Sequence, residues 1–576
     1  MTAGGSERVG GWGSMTGVAR GVATVLYGAL LCLLVSWPLP FLPANELPGS
    51  PFGEVDNHYW IAWVEVQRLG GDPGPWSNWP VGWELPFMDP VNLLFLLPAW
   101  GWGPVLAYRA VLLGNLGLAA AGGYAFARVL TASHAAALVG LAAAVGAPFL
   151  AGVVDFGITE AWPVGWMGLH AAAVLLYARE GGWGRGVLAS GTLAAFLASG
   201  WYHDVFAVPV EIGLLLWAGA RIRNAGTPMA VGVRRLGGLL VLVALAGLTR
   251  VPAWMAMVAH PDLWAARFSG LSAPIALPDW RANPTFGVDL LCFFLPQPTA
   301  LPVSRTVYLG IATVGLALLG AWRGPGRVPV VLATMLLTLA VGHWLRLGGQ
   351  TPGRVPLRMP AGVLVQLLPA FRGLSHWFRA VGPATPLLAA AAAAGVAPWL
   401  ARRRHPALVA GVLGLGVVGE GIVAAPTAWP RHHYAVDPPE VLARLTSPGA
   451  VLDLPVDDAG APPPGRSRRP YNQWQPVHQR PIAENYEGPD AVFGYGRLVP
   501  IWNTLCGAPA PRGTPHEIPL DPAPDVAALR AAGFGVVIVH PPLARDPEGC
   551  VRGVEEVLGV PVARSPEAVV WEIGDR

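Results

Sequence analysis

Apolar residues in this chain come in runs of about 20, separated by polar stretches rich in Arg, Gly and Pro. Wound as a helix, such a run crosses roughly 30 Å of hydrocarbon and satisfies its own backbone hydrogen bonds there. The pattern predicts about eleven membrane-spanning helices, near residues 19–42, 105–127, 134–151, 162–178, 187–200, 205–220, 236–257, 308–322, 328–345, 381–400 and 406–425. The first run is too long for a removable signal peptide and lacks a small-residue cleavage site, so it reads as an uncleaved first helix. After about residue 430 the period changes. Val451–Leu454 and Gly535–His540 read as strands and Asp525–Ala532 as a helix, and Val554–Leu558 and Ala568–Ile573 continue the alternation. The expected fold is an α-helical polytopic membrane protein with a C-terminal soluble α/β domain. Its divisions are a tail at 1–18, a membrane domain at 19–429 and the soluble domain at 430–576.

Composition agrees with that division. Of 576 residues 53% are hydrophobic and 13% charged, and the mean hydropathy is +0.46; a soluble protein carries about 25% charged residues. The net charge of +3 is small and spread among loops, which excludes a nucleic-acid groove. Every basic residue is Arg and none is Lys, which together with the Ala, Gly and Pro excess reads as genome base composition rather than chemistry.

The arginines orient the chain. Arg8, Arg20, Arg128, Arg179, Arg185, Arg221 to Arg235, Arg323, Arg327 and Arg402 to Arg404 all fall on one side of the eleven-span arrangement, and cytoplasmic loops retain positive charge. The expected location is a bacterial cell membrane, with the N-terminus inside and residues after 430 outside. Three outer segments, 43–104, 258–307 and 346–380, are longer than a connection needs. The first holds Trp60, Trp63, Trp76, Trp79 and Trp83, rings suited to the membrane interface. Asn57–Leu69, Val91–Trp102 and Gly362–Phe378 read as short helices lying along the bilayer surface. Cys506 and Cys550 both fall in the outer region, where a disulfide is expected if the compartment is oxidising; two unpaired buried thiols are the alternative. No CxxC or His/Cys metal spacing occurs, and the soluble domain has no phosphate loop or catalytic elbow.

Candidate chemistry gathers on the outer side. Glu54 and Asp56 stand beside His58 just after the first span, and Asp155 and Glu160 occupy the next outer loop. Carboxylates at a bilayer are costly unless solvated or used, and two pairs converging on one cavity would supply a general base or hold a metal. Ordinary loop acids, with Asp155 as a helix cap, are the bland alternative. Tyr202, His203 and Asp204 interrupt the apolar pattern between the fifth and sixth spans, beside Trp201. Arg109, Arg372 and Arg379 are cations on the outer side, against the positive-inside trend, and guanidinium groups grip phosphate oxygens in a fork; snorkelling is the competing account.

These residues resemble the C-type glycosyltransferase (GT-C) superfamily, which includes oligosaccharyltransferases, protein mannosyltransferases and the aminoarabinose transferases of lipid A. The likeness lies in the long first outer loop with its acidic motif Glu54-Val-Asp56 and in the second acidic loop. It continues in Pro80-Val-Gly82 with Asp89-Pro90, Ala107-Tyr-Arg109, Ser375-His-Trp-Phe-Arg379 before a late Ala-rich span, and the Val-Leu-Asp-Leu-Pro strand of an outer domain. It implies transfer of a hexosyl or pentosyl group from a polyprenyl-phosphate donor to an acceptor of unknown class, by an inverting, acid/base-assisted displacement. By the same likeness Asp56 is the expected base, with Glu54, Asp155 and Glu160 as its acidic partners. His58, Arg109, Tyr202, His203, Asp204, His376 and Arg379 are the expected substrate-binding residues. Membrane lipid is the other expected partner; no cofactor is implied with certainty, and a divalent metal is left open because fewer acidic ligands are found than metal-using members gather. Two rivals stand beside this reading: a transporter or flippase of lipid-linked saccharide, which would show an internal repeat and charges within the spans, neither of which is read here, and a non-catalytic envelope assembly protein.

Overall fold

The computed structural model describes residues 17–50, 54–71, 76, 90–161, 164–252, 254–255, 288–296, 307–348, 357–367, 376–424, 429–455, 470–483, 501–502, 504–506 and 524–573. Its helices are α1 Gly17–Ser36, α2 Val55–Leu69, α3 Leu93–Ala99, α4 Pro104–Thr131, α5 His134–Val145, α6 Pro148–Phe156, α7 Gly165–Glu180, α8 Trp183–Ala198, α9 Trp201–Asn224 and α10 Met229–Leu248. There follow α11 Ile311–Trp322, α12 Arg327–Ala340, α13 Pro360–Leu367, α14 Val381–Leu400, α15 Pro406–Ala424, α16 Pro470–His478, α17 Val526–Ala531 and α18 Pro547–Leu558. Each of the eleven apolar runs contains a helix. Among the described residues seven stretches are long and apolar enough to cross a membrane unaided: 17–36, 104–131, 134–156, 202–224, 229–248, 377–400 and 406–424. The other four runs form shorter helices, α7, α8, α11 and α12.

Small residues explain the packing. With lipid outside, helices gain little from hydrophobicity alone and associate where their backbones can approach closely. A Cβ on Gly122 of α4 would run into the Gly165 carbonyl of α7, and one on Gly320 of α11 into the Ala391 carbonyl of α14. The Ala-rich α14 is buried along nearly its whole length against α5, α4 and α11. By contrast α1 leaves Val18, Val22, Leu26 and Leu30 uncovered, as a lipid-facing helix does.

Several of the arginines tie neighbouring helices together. The Arg179 guanidinium donates to the Val129 carbonyl, Arg235 to the carbonyls of Ala178 and Arg179, and Arg323 to that of Gly395. The expectation of spans without charge does not hold. His170 of α7 and Glu211 of α9 form a buried ion pair of 2.8 Å, and Glu420 of α15 accepts from Tyr308 and from the Ile311 and Ala312 amides at the start of α11.

Beyond the bundle, β3 Ala450–Leu454, β4 Phe534–Val539, β5 Ala563–Arg564 and β6 Val569–Glu572 form one sheet in the order β3-β4-β6-β5, with β3 and β4 parallel and the other pairs antiparallel. Burial on both faces accounts for the fully apolar β4. A disulfide joins Cys506 to Cys550 under this sheet. Two further strands, β1 Glu46–Pro48 and β2 His433–Ala435, pair antiparallel and stitch the segment after α1 to the segment after α15. Arg431 tightens the stitch: its Nε donates to the Val35 carbonyl at 2.8 Å and its backbone N–H to Trp37 at 2.8 Å. Of the helices expected along the bilayer surface, Asn57–Leu69 corresponds to α2 and Val91–Trp102 to α3 with its flanking 3-10 turns; within Gly362–Phe378, residues up to Leu367 are helical, Trp377 and Phe378 begin a 3-10 turn, and 368–375 lie outside the described residues.

Candidate functional site

The site grows from the first turn of α2. Glu54 precedes the helix and its amide donates to the Phe156 carbonyl at 2.7 Å, which ties the start of α2 to the end of α6. Gly157 then takes a left-handed conformation, φ 76°, that reverses the chain into the 3-10 turn Thr159–Ala161. Opposite lies a second 3-10 turn, Trp377–Ala380, leading into α14.

Four charged or titratable side chains meet there. Arg379 Nη1 donates to Glu160 Oε1 in a short buried contact. His58 Nδ1 lies 2.8 Å from Thr159 Oγ1 and 3.4 Å from Glu160 Oε2, and its Nε2 lies 3.6 Å from Glu54 Oε2. Both ring nitrogens therefore face carboxylates. The Arg379 guanidinium also sits 4.6 Å over the Tyr202 ring, and the Tyr202 hydroxyl is 3.1 Å from His376 Nδ1. His203 closes the far side, with Nδ1 3.1 Å from Ser199 Oγ. That hydroxyl spends its proton on the Phe196 carbonyl at 2.6 Å, so His203 Nδ1 is the donor.

The cluster is buried but not closed. Glu160 and Arg379 are at most 7% exposed, while the Glu54 side chain keeps 32% of its surface accessible. Among the described residues Arg379 Nε has no hydrogen-bond partner, and neither has Glu160 Oε2 apart from its approach to His58. Burial pushes the Glu54 carboxyl up, but His58, Arg379 and His376 outweigh it and hold it well below the usual carboxylate range. Burial likewise raises Glu160, and Arg379 followed by His58 more than reverses this, against a smaller opposing push from Glu54.

Other expected site residues stand elsewhere, for identifiable reasons. Arg109 faces no open phosphate site: its guanidinium donates to the backbone carbonyls of Leu42, Pro43 and Glu46, folding the chain after α1. Asp56, 4% exposed, points away from His58; its Oδ1 accepts from the Tyr434 hydroxyl and from Gln473 Nε2, both in short contacts. Asp155 is met by His432 Nδ1, at 2.9 and 3.1 Å from its two oxygens. Asp204 pairs with Arg250 at 3.0 Å. Glu54 and Glu160 thus share His58, whereas Asp56 and Asp155 both meet side chains of the segment 432–434. Trp79, Trp83, Pro80-Val-Gly82, Asp89, Arg372 and Ser375 lie outside the described residues. Among the described residues no set of three or more His, Cys, Asp and Glu gathers in a way that could hold a metal ion. Thr159, Tyr434, Gln473 and His432 carry no periodic or motif signal and were not anticipated; Glu211, a lone acid inside an apolar run, could have been.

Together the bundle, the surface helices of the first long loop and the sheet domain define a membrane protein with the GT-C fold of membrane glycosyltransferases. The chain is similar in structure to the arabinofuranosyltransferase AftD from Mycobacteria, with a TM-score of 0.50 and 15% identity over 98% of its length, and it spans only 40% of that longer protein. A mutant of AftD gives a TM-score of 0.50 and 14% identity, covering 98% of this chain and 42% of that one. ArnT from Cupriavidus metallidurans, solved bound to undecaprenyl phosphate, covers 97% of this chain and 99% of its own at 14% identity and a TM-score of 0.47. No protein-family model matches the sequence, and no curated protein does.

Proposed function

We propose that the chain is a glycosyltransferase that moves a sugar from a polyprenyl-phosphate donor to an acceptor on the extracytoplasmic side of the membrane. The observation that carries this is Arg379: a buried guanidinium, held by Glu160 and Tyr202, whose Nε has no hydrogen-bond partner among the described residues. A phosphate oxygen supplies that partner, and charge-assisted bonds of this kind are the strong ones. His376 and Tyr202 stand beside it and His203 close by.

In this reading Glu54, the accessible acid, is the base in place of Asp56. The acceptor hydroxyl gives its proton to Glu54 as its oxygen bonds to the anomeric carbon. The bond from that carbon to the phosphate oxygen breaks, and the polyprenyl phosphate leaves with the electron pair, its charge met by Arg379. The inverted configuration follows from single displacement. A bound phosphate competes for Arg379, which weakens one of the influences depressing Glu54 and makes it a better proton acceptor when donor is present. With the N-terminus inside, as the arginine turns support, this cluster faces outward.

The test is binding of polyprenyl phosphate to the purified protein in lipid nanodiscs, with polyprenol as the control. Phosphate-dependent binding that falls about 10-fold or more in Arg379→Ala supports the reading; equal binding of polyprenol and its phosphate to the native protein overturns it.

A further inference from the structure

We infer that the soluble domain sets the geometry of the candidate site by gripping the opposite face of α2, and that Asp56, Tyr434 and Gln473 are positioning residues in that grip. The inference rests on the transferase reading for what the site does, but not for the grip itself.

The helical period separates the two faces. Glu54 and His58 are four residues apart and share one stripe; Asp56 and Trp60, also four apart, lie about 200° round the helix from it. The first stripe meets Thr159, Glu160 and, through Glu160, Arg379. The second meets α16. Asp56 Oδ1 accepts from Tyr434 and Gln473, Asn472 Nδ2 donates to Asn57 Oδ1 at 3.2 Å, and Trp60 Nε1 donates to Gln475 Oε1 in a short contact. Every one of these side chains is buried.

α16 is itself anchored on its other side. The Tyr471 and Trp474 rings lie 5.1 and 4.9 Å from the His540 imidazole, whose Nε2 is 2.8 Å from Asp453 Oδ1. Asp453 lies near the C-terminal end of β3 and His540 follows β4, so the two parallel strands present this pair from one edge of the sheet. A continuous path of packed groups thus runs from the sheet through α16 to α2, and from α2 to Glu160 and Arg379.

Physical reasons make this path matter for the site. A 15-residue helix is marginal by itself, so what it packs against decides where its first turn sits. That turn carries His58, and Glu54 stands immediately before it. A shift of 1 Å in a reacting group costs about 10² in rate. Tyr434 and Gln473 both donate to Asp56 Oδ1, which makes this carboxylate the shared acceptor of the clasp. Tyr434 stays protonated as the donor, since burial and the facing Asp56 carboxylate both push its hydroxyl well above its ordinary range.

The experiment uses the full-length protein in nanodiscs and two readouts, sugar transfer from a synthetic polyprenyl-phosphate sugar and hydrogen exchange of the α2 amides. Asp56→Asn keeps an oxygen that accepts from Tyr434 and Gln473, so turnover should stay within about threefold and α2 protection should hold. Asp56→Leu, and the milder Tyr434→Phe combined with Gln473→Leu, should speed α2 exchange and lower turnover about 10- to 100-fold, with polyprenyl-phosphate affinity unchanged because Arg379 is untouched. A loss beyond about 100-fold in Asp56→Asn with α2 exchange unaltered makes Asp56 a base and ends the proposal. Unchanged α2 exchange in the Tyr434/Gln473 variant ends it as well, whatever the activity. If the native protein neither transfers sugar nor binds polyprenyl phosphate, the transferase reading falls, and the exchange data decide the grip independently.

Discussion

On one side of α2, Glu54 and His58 face Glu160 and Arg379; on the other, Asp56 faces Tyr434 and Gln473, and nearby Asp155 faces His432. Both regions are buried, polar and built around carboxylates. They differ in how the donors and acceptors are used. In the first, a cation and two acids meet at one point with an Arg379 N–H and a Glu160 oxygen left over, and Glu54 opens to solvent. In the second, Asp56 receives two neutral donors on one oxygen, and both Asp155 oxygens lie within 3.1 Å of His432 Nδ1. Native interiors rarely leave a charged donor unmatched, because the cost is large in a low-dielectric setting. A buried charged group with spare valence therefore marks where a ligand fits, and a buried acid with its partners in place marks a joint.

The largest expected effect breaks that comparison most directly. Glu54→Gln should lower turnover by about 10²–10⁴ while the protein folds and binds donor, since general-base removal has that magnitude. Asp155→Asn should leave turnover within about threefold, because the residue reaches His432 and not the cluster. Transfer assays on the two variants side by side decide it; equal losses would erase the distinction between site and joint.

Next in size is the buried ion pair. Arg379→Ala strands Glu160 in a site of low exposure, and breaking such a pair costs about 3–5 kcal/mol. Adding Glu160→Gln should recover a good part of it, which a double-mutant cycle in thermal unfolding measures. The pH dependence has a definite sign. Glu160 sits below its ordinary value when folded, so its contribution is fully present above the unfolded value near 4.3 and is lost as pH falls through the folded one. A Glu160→Gln protein should consequently lose less stability than the native one as pH falls below about 4.

The helices were legible because length and hydropathy are properties of a single segment. All eleven apolar runs hold helices, and the sheet strands at 450–454, 534–539 and 569–572 follow from alternation and apolar runs. What could not be read was which acid faces which way. Glu54 and Asp56 are two residues apart, a spacing that puts them on opposite faces of a helix only once α2 is known to start at Val55. Arg109 carried the sequence signal of a phosphate ligand, yet its four hydrogen bonds serve a backbone fold set by residues 42–46, some 65 positions earlier, which no local pattern encodes. Tyr434 and Gln473 reach Asp56 across more than 370 residues of chain. The His170–Glu211 pair was missed differently: each residue is single in an apolar run, and only the packing of α7 on α9 makes them partners.

The smallest expected effect concerns the joint at His432. Its imidazole is raised above the ordinary histidine value, first by its hydrogen bond to Asp155, with burial opposing, the Asp155 charge adding and Arg431 subtracting. A raised value means the folded state holds the proton more tightly than the unfolded chain. The stabilisation is therefore fully present below about pH 6.5 and fades as pH rises through the higher folded value. Because 48% of the His432 side chain is exposed, solvent screening keeps the effect below about 1 kcal/mol. Thermal unfolding of the native protein should show a shallow decline in stability from about pH 6 to pH 8 that His432→Gln abolishes, while Glu54→Gln leaves it in place. Removing this decline should not alter sugar transfer at pH 6, since the hydrogen bond that His432 makes goes to Asp155 and not to the cluster of Glu54, His58, Glu160 and Arg379.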